Sequence, residues 1–129
     1  MLPRFHVAMI RPPGYAHSSA FAEVAETFVL AFTELGYPTT YAENHVDAAA
    51  TNLVFGWQTL HTFSRIELPP RSILFNLEQF IPDSPWFAPA PVRALMSRLP
   101  VWDYSRRNIA ALRAANIAPR IFHMPIGTM

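Results

Sequence analysis

Short apolar runs alternate along this chain with segments whose hydrophobic positions recur at helical spacing. Residues 5–10 form an apolar run that predicts a strand. A Pro-Pro-Gly turn follows, and a helical pattern then runs from Ser18 or Ser19 to a natural terminator at Gly36. A strand, a loop and a helix in this order are typical of a unit that builds a parallel sheet.

The same alternation continues to the end of the chain and predicts an α/β fold. We expect a single domain, residues 1–129, folded as a Rossmann-like three-layer sandwich with a mainly parallel sheet of about six strands. A flavodoxin-like strand order remains an alternative, because spacing does not reveal which strands are neighbours. Further strands are predicted at 39–42, 52–57, 72–77, 101–104 and 121–124, and further helices at 60–66, 92–99 and from 105 to about 116.

Composition narrows the class of protein. Hydrophobic residues make up 51% of the 129 residues and charged residues 15%, which favours a folded core over disorder. No apolar stretch approaches the roughly 20 residues of a transmembrane helix, and no leader-like segment opens the chain. We therefore expect a soluble cytoplasmic protein, and the net charge of +1 argues against a nucleic-acid partner.

Missing residue types and motifs exclude several chemistries. The chain has no Lys and no Cys, which excludes lysine Schiff bases, a P-loop lysine, thiol nucleophiles and disulfides. Neither a G-x-G-x-x-G fingerprint nor a G-x-S-x-G elbow occurs. The histidines lack metal-ligand spacing, so we expect no metal site. We also expect no cofactor.

Polar residues follow the fourth and fifth predicted strands at the edge where parallel sheets bind ligands. Asn76 and Glu78 would share one strand face, and Gln79 follows them. A carboxylate there either binds a ligand or is satisfied by an Arg or a backbone amide, so an anchoring role for Glu78 is the alternative. After the fifth strand, Asp103 could orient a ligand hydroxyl or pair with a neighbouring Arg. Ser105 with Asn108 is mostly capping chemistry.

The loop after the first strand is a second candidate, because amides at a helix N-terminus bind anions and sugar hydroxyls. His17 in this loop could act as a general base, and a solvated surface position is the alternative. Trp102 is expected in the core, whereas Trp57 and Trp86 are candidate platforms for a sugar ring. The other candidate residues of this loop are Gly14, Tyr15, Ser18 and Ser19.

Three motifs together resemble the N-terminal half of bacterial glycosyltransferase-like proteins with the GT-B architecture. These are residues 73–79, residues 101–105 with Asn108, and the final Met-Pro-Ile-Gly of residues 124–127. In that architecture two Rossmann-like domains face each other across a cleft, and the C-terminal domain holds most of the nucleotide-sugar donor. The resemblance implies that this chain is the acceptor-side domain, without the C-terminal donor domain, and is inactive by itself.

The resemblance also implies partners and roles for the candidate residues. The partners would be a nucleotide sugar and a glycan or other acceptor, with a C-terminal domain or a second copy of the chain completing the site. His17 and Glu78 would be the catalytic candidates, and the remaining candidates would bind ligand. A non-catalytic α/β module that binds a small ligand or a protein is the alternative. A receiver-like domain is disfavoured, since it needs a lysine.

Overall fold

The computed structural model describes residues 2–12, 19–63, 65–81, 84–85 and 87–126. Within this part of the chain, six strands and four helices follow one another in the predicted alternation. The strands are β1 (Phe5–Met9), β2 (Thr39–Glu43), β3 (Thr51–Phe55), β4 (Ser72–Asn76), β5 (Val101–Asp103) and β6 (Ile121–His123). The helices are α1 (Ser19–Glu34), α2 (Leu60–Phe63), α3 (Ala90–Arg98) and α4 (Arg106–Ala114).

All six strands pair in parallel in a single sheet, which confirms the predicted α/β sandwich. The order is β2-β1-β3-β4-β5-β6, so β3 is central and β2 lies at one edge. Of the two orders that the sequence left open, this is the flavodoxin-like one with a sixth strand added beside β5. β2 therefore lies on one side of β1, and β3 to β6 lie on the other side. The point between β1 and β3, where the direction of strand addition reverses, is called the reversal point below.

Two hydrophobic clusters cover the two faces of the sheet. On one face, α1 packs Val24, Ala25 and Phe32 against side chains of β1, β3 and β4. The cluster on the other face includes Leu60 of α2, with buried side chains of α3 and α4, and extends to β6. Alternate residues of each strand point to opposite faces, so the central strands are apolar on both sides.

The third strand ends earlier than the sequence predicted. β3 stops at Phe55, and Gly56 adopts a left-handed conformation with φ of 72°. Trp57 then begins a short 3-10 turn, Trp57–Thr59, that runs into α2. A positive φ is open to glycine at little steric cost, so Gly56 turns the chain away from the sheet.

Candidate functional site

The ends of β4 and β5 lie side by side, because the sheet order makes these strands neighbours. Asn76 is in register with Asp103, and its Nδ2 donates a hydrogen bond to Asp103 Oδ2 at 2.7 Å. Both side chains are fully buried. Neighbouring parallel strands place their carboxyl ends at one edge, so two polar residues that end their strands meet there.

Asn76 is the last residue of β4, and its side chain bonds the backbone of Glu78, two residues later. Its Oδ1 accepts a hydrogen bond from the Glu78 N–H at 3.2 Å, and its Nδ2 donates to the Glu78 carbonyl at 3.0 Å. The prediction that the strand continues through Leu77, with Asn76 and Glu78 on one face, is therefore wrong. A side-chain amide can bond backbone groups that would otherwise pair with a neighbouring strand. Here the Asn76 amide takes that part for Glu78, and the strand ends.

Gln58 completes the bonding of Asn76, and sequence reasoning missed it. Its Nε2 donates to Asn76 Oδ1 at 3.0 Å, and its side chain is almost fully buried just after the Gly56 turn. With this bond, both hydrogens and both lone pairs of the Asn76 amide are used by protein groups. A glutamine inside the apolar stretch 52–60 was the available signal, because a buried amide needs a partner.

Asp103 is held by three donors and carries no ion pair among the described residues. Besides Asn76, the Ser105 N–H donates to its Oδ1 at 2.9 Å and Asn108 Nδ2 donates at 3.3 Å. Burial raises the pKa of Asp103, while these hydrogen bonds and the nearby charge of His123 lower it, and burial is the largest effect. The arrangement makes Asp103 a support for its neighbours, and its predicted contact with a ligand stays a prediction.

Ser105 caps α4, as its position predicted. Its Oγ accepts a hydrogen bond from the Asn108 N–H at 3.2 Å. The Asn108 side chain, however, does not return to Ser105. Its Nδ2 donates to the Glu78 carbonyl at 3.0 Å, and its Oδ1 accepts from the Phe80 N–H at 3.0 Å. Asn108 thus ties the segment after β4 to the start of α4.

The result of this network is a fixed backbone at Glu78. The Glu78 N–H and carbonyl are bonded by the amides of Asn76 and Asn108, both buried. The Glu78 carboxylate is half-buried, and no described residue donates a hydrogen bond to it or pairs with it. Burial raises the pKa of this carboxyl group. Neither the predicted Arg nor a described backbone amide satisfies it.

Of the tryptophans, Trp57 departs from its prediction, whereas Trp102 packs against a hydrophobic cluster as expected. Trp57 is fully buried, and its indole N–H donates to the Phe75 carbonyl at 3.1 Å, so its prediction as a sugar platform is wrong. The Gly56 turn directs this ring into the core. Trp102 is half-buried and packs near Phe28 on the α1 face, with 6.2 Å between ring centroids. Trp86 lies outside the described residues.

The reversal point between β1 and β3 is the place where this kind of sheet usually binds ligands. The candidates Gly14, Tyr15, His17 and Ser18, which come after β1 in the sequence, lie outside the described residues. Ser19 is the first residue of α1, and its side chain is outside them as well. The first-loop site stays a prediction.

The remaining candidates add little to this site. Gln79 is exposed next to Glu78. Among the described residues, no three His, Asp or Glu side chains are grouped closely enough to hold a metal ion. The helices of this part of the chain include none that combines the length and the apolar character needed to cross a membrane.

A function for this chain has to be argued from the geometry of the polar network at the ends of β4 and β5. A side-chain network fixes the Glu78 backbone, and the described residues leave its carboxylate unpaired. This combination is a property of the tertiary structure, and it is independent of any resemblance. No protein-family model, no curated protein and no solved structure matches this chain.

Proposed function

We propose that the carboxyl edge of the sheet, centred on Glu78, binds the hydroxyl-bearing acceptor of a glycosyltransferase that uses a nucleotide-sugar donor. One observation carries the proposal. Four buried polar side chains, Gln58, Asn76, Asp103 and Asn108, fix the backbone of one residue whose own carboxylate has no described partner. Networks of this kind hold a functional residue in position before its ligand binds.

The electrostatics of Glu78 suit a general base. A carboxylate in partly desolvated surroundings has a raised pKa and accepts a proton more readily than one in water. In sugar transfer, the acceptor hydroxyl loses a proton as it attacks the sugar. Glu78 would take that proton, and the buried network would keep the backbone of this residue in place beside the acceptor. Stabilisation of the departing diphosphate would come from the donor-binding domain, as the resemblance implies.

The test separates acceptor binding from donor binding on this chain. We expect saturation-transfer NMR to detect binding of members of a glycan panel, and to detect no tight binding of nucleotide sugars. Glu78→Gln should weaken glycan binding about tenfold, in line with loss of one charge-assisted hydrogen bond. Glu67→Gln, which removes an exposed carboxylate elsewhere, is the matched control. Tight binding of a nucleotide sugar would contradict the acceptor-side assignment.

A kinetic measurement checks the general-base role. In a protein that contains this sequence and transfers sugar, Glu78→Gln should lower kcat by about 10²–10⁴-fold. The KM for the acceptor should rise by about tenfold at most, and the KM for the nucleotide sugar should change little. Equal kcat values for Glu78→Gln and Glu67→Gln would rule Glu78 out as the base.

The saturated bonding of Asn76 favours a second candidate function. Because protein groups use every hydrogen-bonding position of this amide, the same network would also serve a non-catalytic α/β module whose strand ends are purely structural. That module would show no glycan binding at the Glu78 edge and no effect of Glu78→Gln on any binding partner.

A further inference from the structure

Charge is distributed very unevenly along this chain, although the net charge is only +1. Residues 1–83 contain eight acidic residues and four arginines, whereas residues 84–129 contain one acidic residue and six arginines. The sheet order separates the two sets in space, because β2 and β6 form opposite edges. The β5–β6 side of the molecule is therefore strongly basic.

A groove between α4 and β6 lies on this basic side. It has a volume of about 360 Å³ and is lined by Arg106, Ile109, Ala110, Arg113 and His123. Arg106 and Arg113 are seven residues apart, which places their backbones about 10 Å apart along the helix axis. Ala110 lies between them, and its methyl group is too short to fill the gap. Two guanidinium groups can thus reach toward one ligand from either end.

Two of the lining side chains are already held in place by backbone carbonyls of the sheet side. Arg113 Nη2 donates to the Ile121 carbonyl at 3.4 Å, and His123 Nε2 donates to the Tyr104 carbonyl at 3.1 Å. These bonds reduce the side-chain entropy that a ligand would have to overcome on binding. The groove is therefore partly preorganised.

No carboxylate neutralises these arginines within the described residues. The ion pairs found there, Arg4 with Asp47 and Arg11 with Glu43, lie at the β2 side of the sheet. Asp103 is the acidic residue of the basic half, and it is buried and bonded to Asn76, Asn108 and Ser105. Asp103 interacts with the charge of His123, whereas the charge of Arg106 and Arg113 is available to a ligand.

We propose that this groove binds a small ligand that carries two phosphate groups. Guanidinium groups bind phosphate oxygens through paired, charge-assisted hydrogen bonds, and Arg106 and Arg113 both line this groove together with the short Ala110 side chain. A volume of about 360 Å³ lies within the usual range of small-molecule sites. This site is separate from Glu78, and its ligand does not depend on the function proposed for that residue.

The experiment titrates inorganic pyrophosphate into the full chain at constant ionic strength and follows backbone amides by NMR. We expect saturable shifts at Ala110 and His123 and at least tenfold weaker binding in Arg106→Gln/Arg113→Gln. The matched control, Arg98→Gln/Arg107→Gln, removes two exposed charges that do not line the groove and should bind as the wild type does. Arg106→Gln alone provides the same comparison if the double variant unfolds.

Three results would overturn the proposal. The first is the absence of saturable shifts at Ala110 and His123. The second is an equal loss of affinity in the control variant, which would indicate diffuse attraction to the basic side. The third is tighter binding of succinate than of pyrophosphate, which would show that the groove prefers carboxylates to phosphates.

Discussion

At the scale of single residues, Glu78 and Asp103 show how burial and hydrogen bonding separate two carboxylates. Burial raises the pKa of both, but only Asp103 is surrounded by donors, from Asn76, Ser105 and Asn108. Asp103 therefore holds the strand ends together, whereas Glu78 bears the cost of partial desolvation without a described partner. Groups that cost stability and are nevertheless rigidly placed are candidates for function.

This cost predicts a pH-dependent effect of Glu78→Gln on stability. A raised pKa in the folded state means that the protonated form favours folding, and this contribution is lost as the pH rises through the folded-state pKa. At pH 7 the variant should therefore be more stable than the wild type, by less than about 1 kcal/mol because the group is half-exposed. Below about pH 4 the difference should disappear, since Glu78 is then protonated.

Urea unfolding at pH 7 and at pH 3.5 measures both differences. Glu67→Gln, at an exposed position, should change stability by less than about 0.5 kcal/mol at either pH. A destabilised Glu78→Gln at pH 7 would mean that the carboxylate has a stabilising partner, and the argument for a preorganised base would fail.

At the scale of elements, α4 depends on its first turn. The helix has nine residues, and isolated helices of that length are unstable in water. Ile109 and Leu112 bury one face of it against the sheet, while Ser105 and Asn108 fix its start. The sequence predicted this start because a serine cap at residue 105 comes directly after an apolar strand. It did not predict where the Asn108 amide bonds.

The cap predicts the effect of one substitution. Ser105→Ala removes the acceptor of the Asn108 N–H and should cost about 1 kcal/mol of unfolding free energy. Ser97→Ala, at an exposed position inside α3, is the matched control and should be neutral or slightly stabilising, because alanine is the better helix former. Thermal unfolding of both variants makes the comparison. Equal midpoints for the two would show that α4 starts without the cap.

At the scale of the whole molecule, the strand order decides which surfaces are available for function. The order places the reversal point between β1 and β3, the polar network at β4 and β5, and the basic groove beside β6. These three regions therefore follow one another across the sheet, from the β1–β3 pair through β4 and β5 to the β6 edge.

Hydrogen exchange tests this order. β3 is central and has four of its five residues buried, whereas β2 is an edge strand with none buried. Amides of Thr51–Phe55 should therefore exchange at least about tenfold more slowly than those of Thr39–Glu43. A classical doubly wound order would place β2 inside and β3 at an edge, so it predicts the reverse ranking. Mass spectrometry of peptides that cover the two strands distinguishes the orders.

The sequence alone determined the class of fold and the position of most elements. The spacing of hydrophobic positions and the residues that end helices and strands are local properties of the chain. It also predicted that Asn76 and Asp103 would lie at one edge, since both end apolar runs of parallel strands. The turn at Gly56, which buries Trp57, was missed because an apolar tryptophan after a strand fits the strand pattern equally well.

Only the tertiary structure decided how these residues are used. Strand order depends on long-range pairing, so the flavodoxin-like arrangement could not be read from spacing. The hydrogen-bond partners of Gln58 and Asn108 lie 18 and 28 to 30 residues away, so the network that fixes Glu78 exists only once β3, β4 and α4 have packed together. The same holds for the groove, because Arg106, Arg113 and His123 meet only where α4 lies across β6.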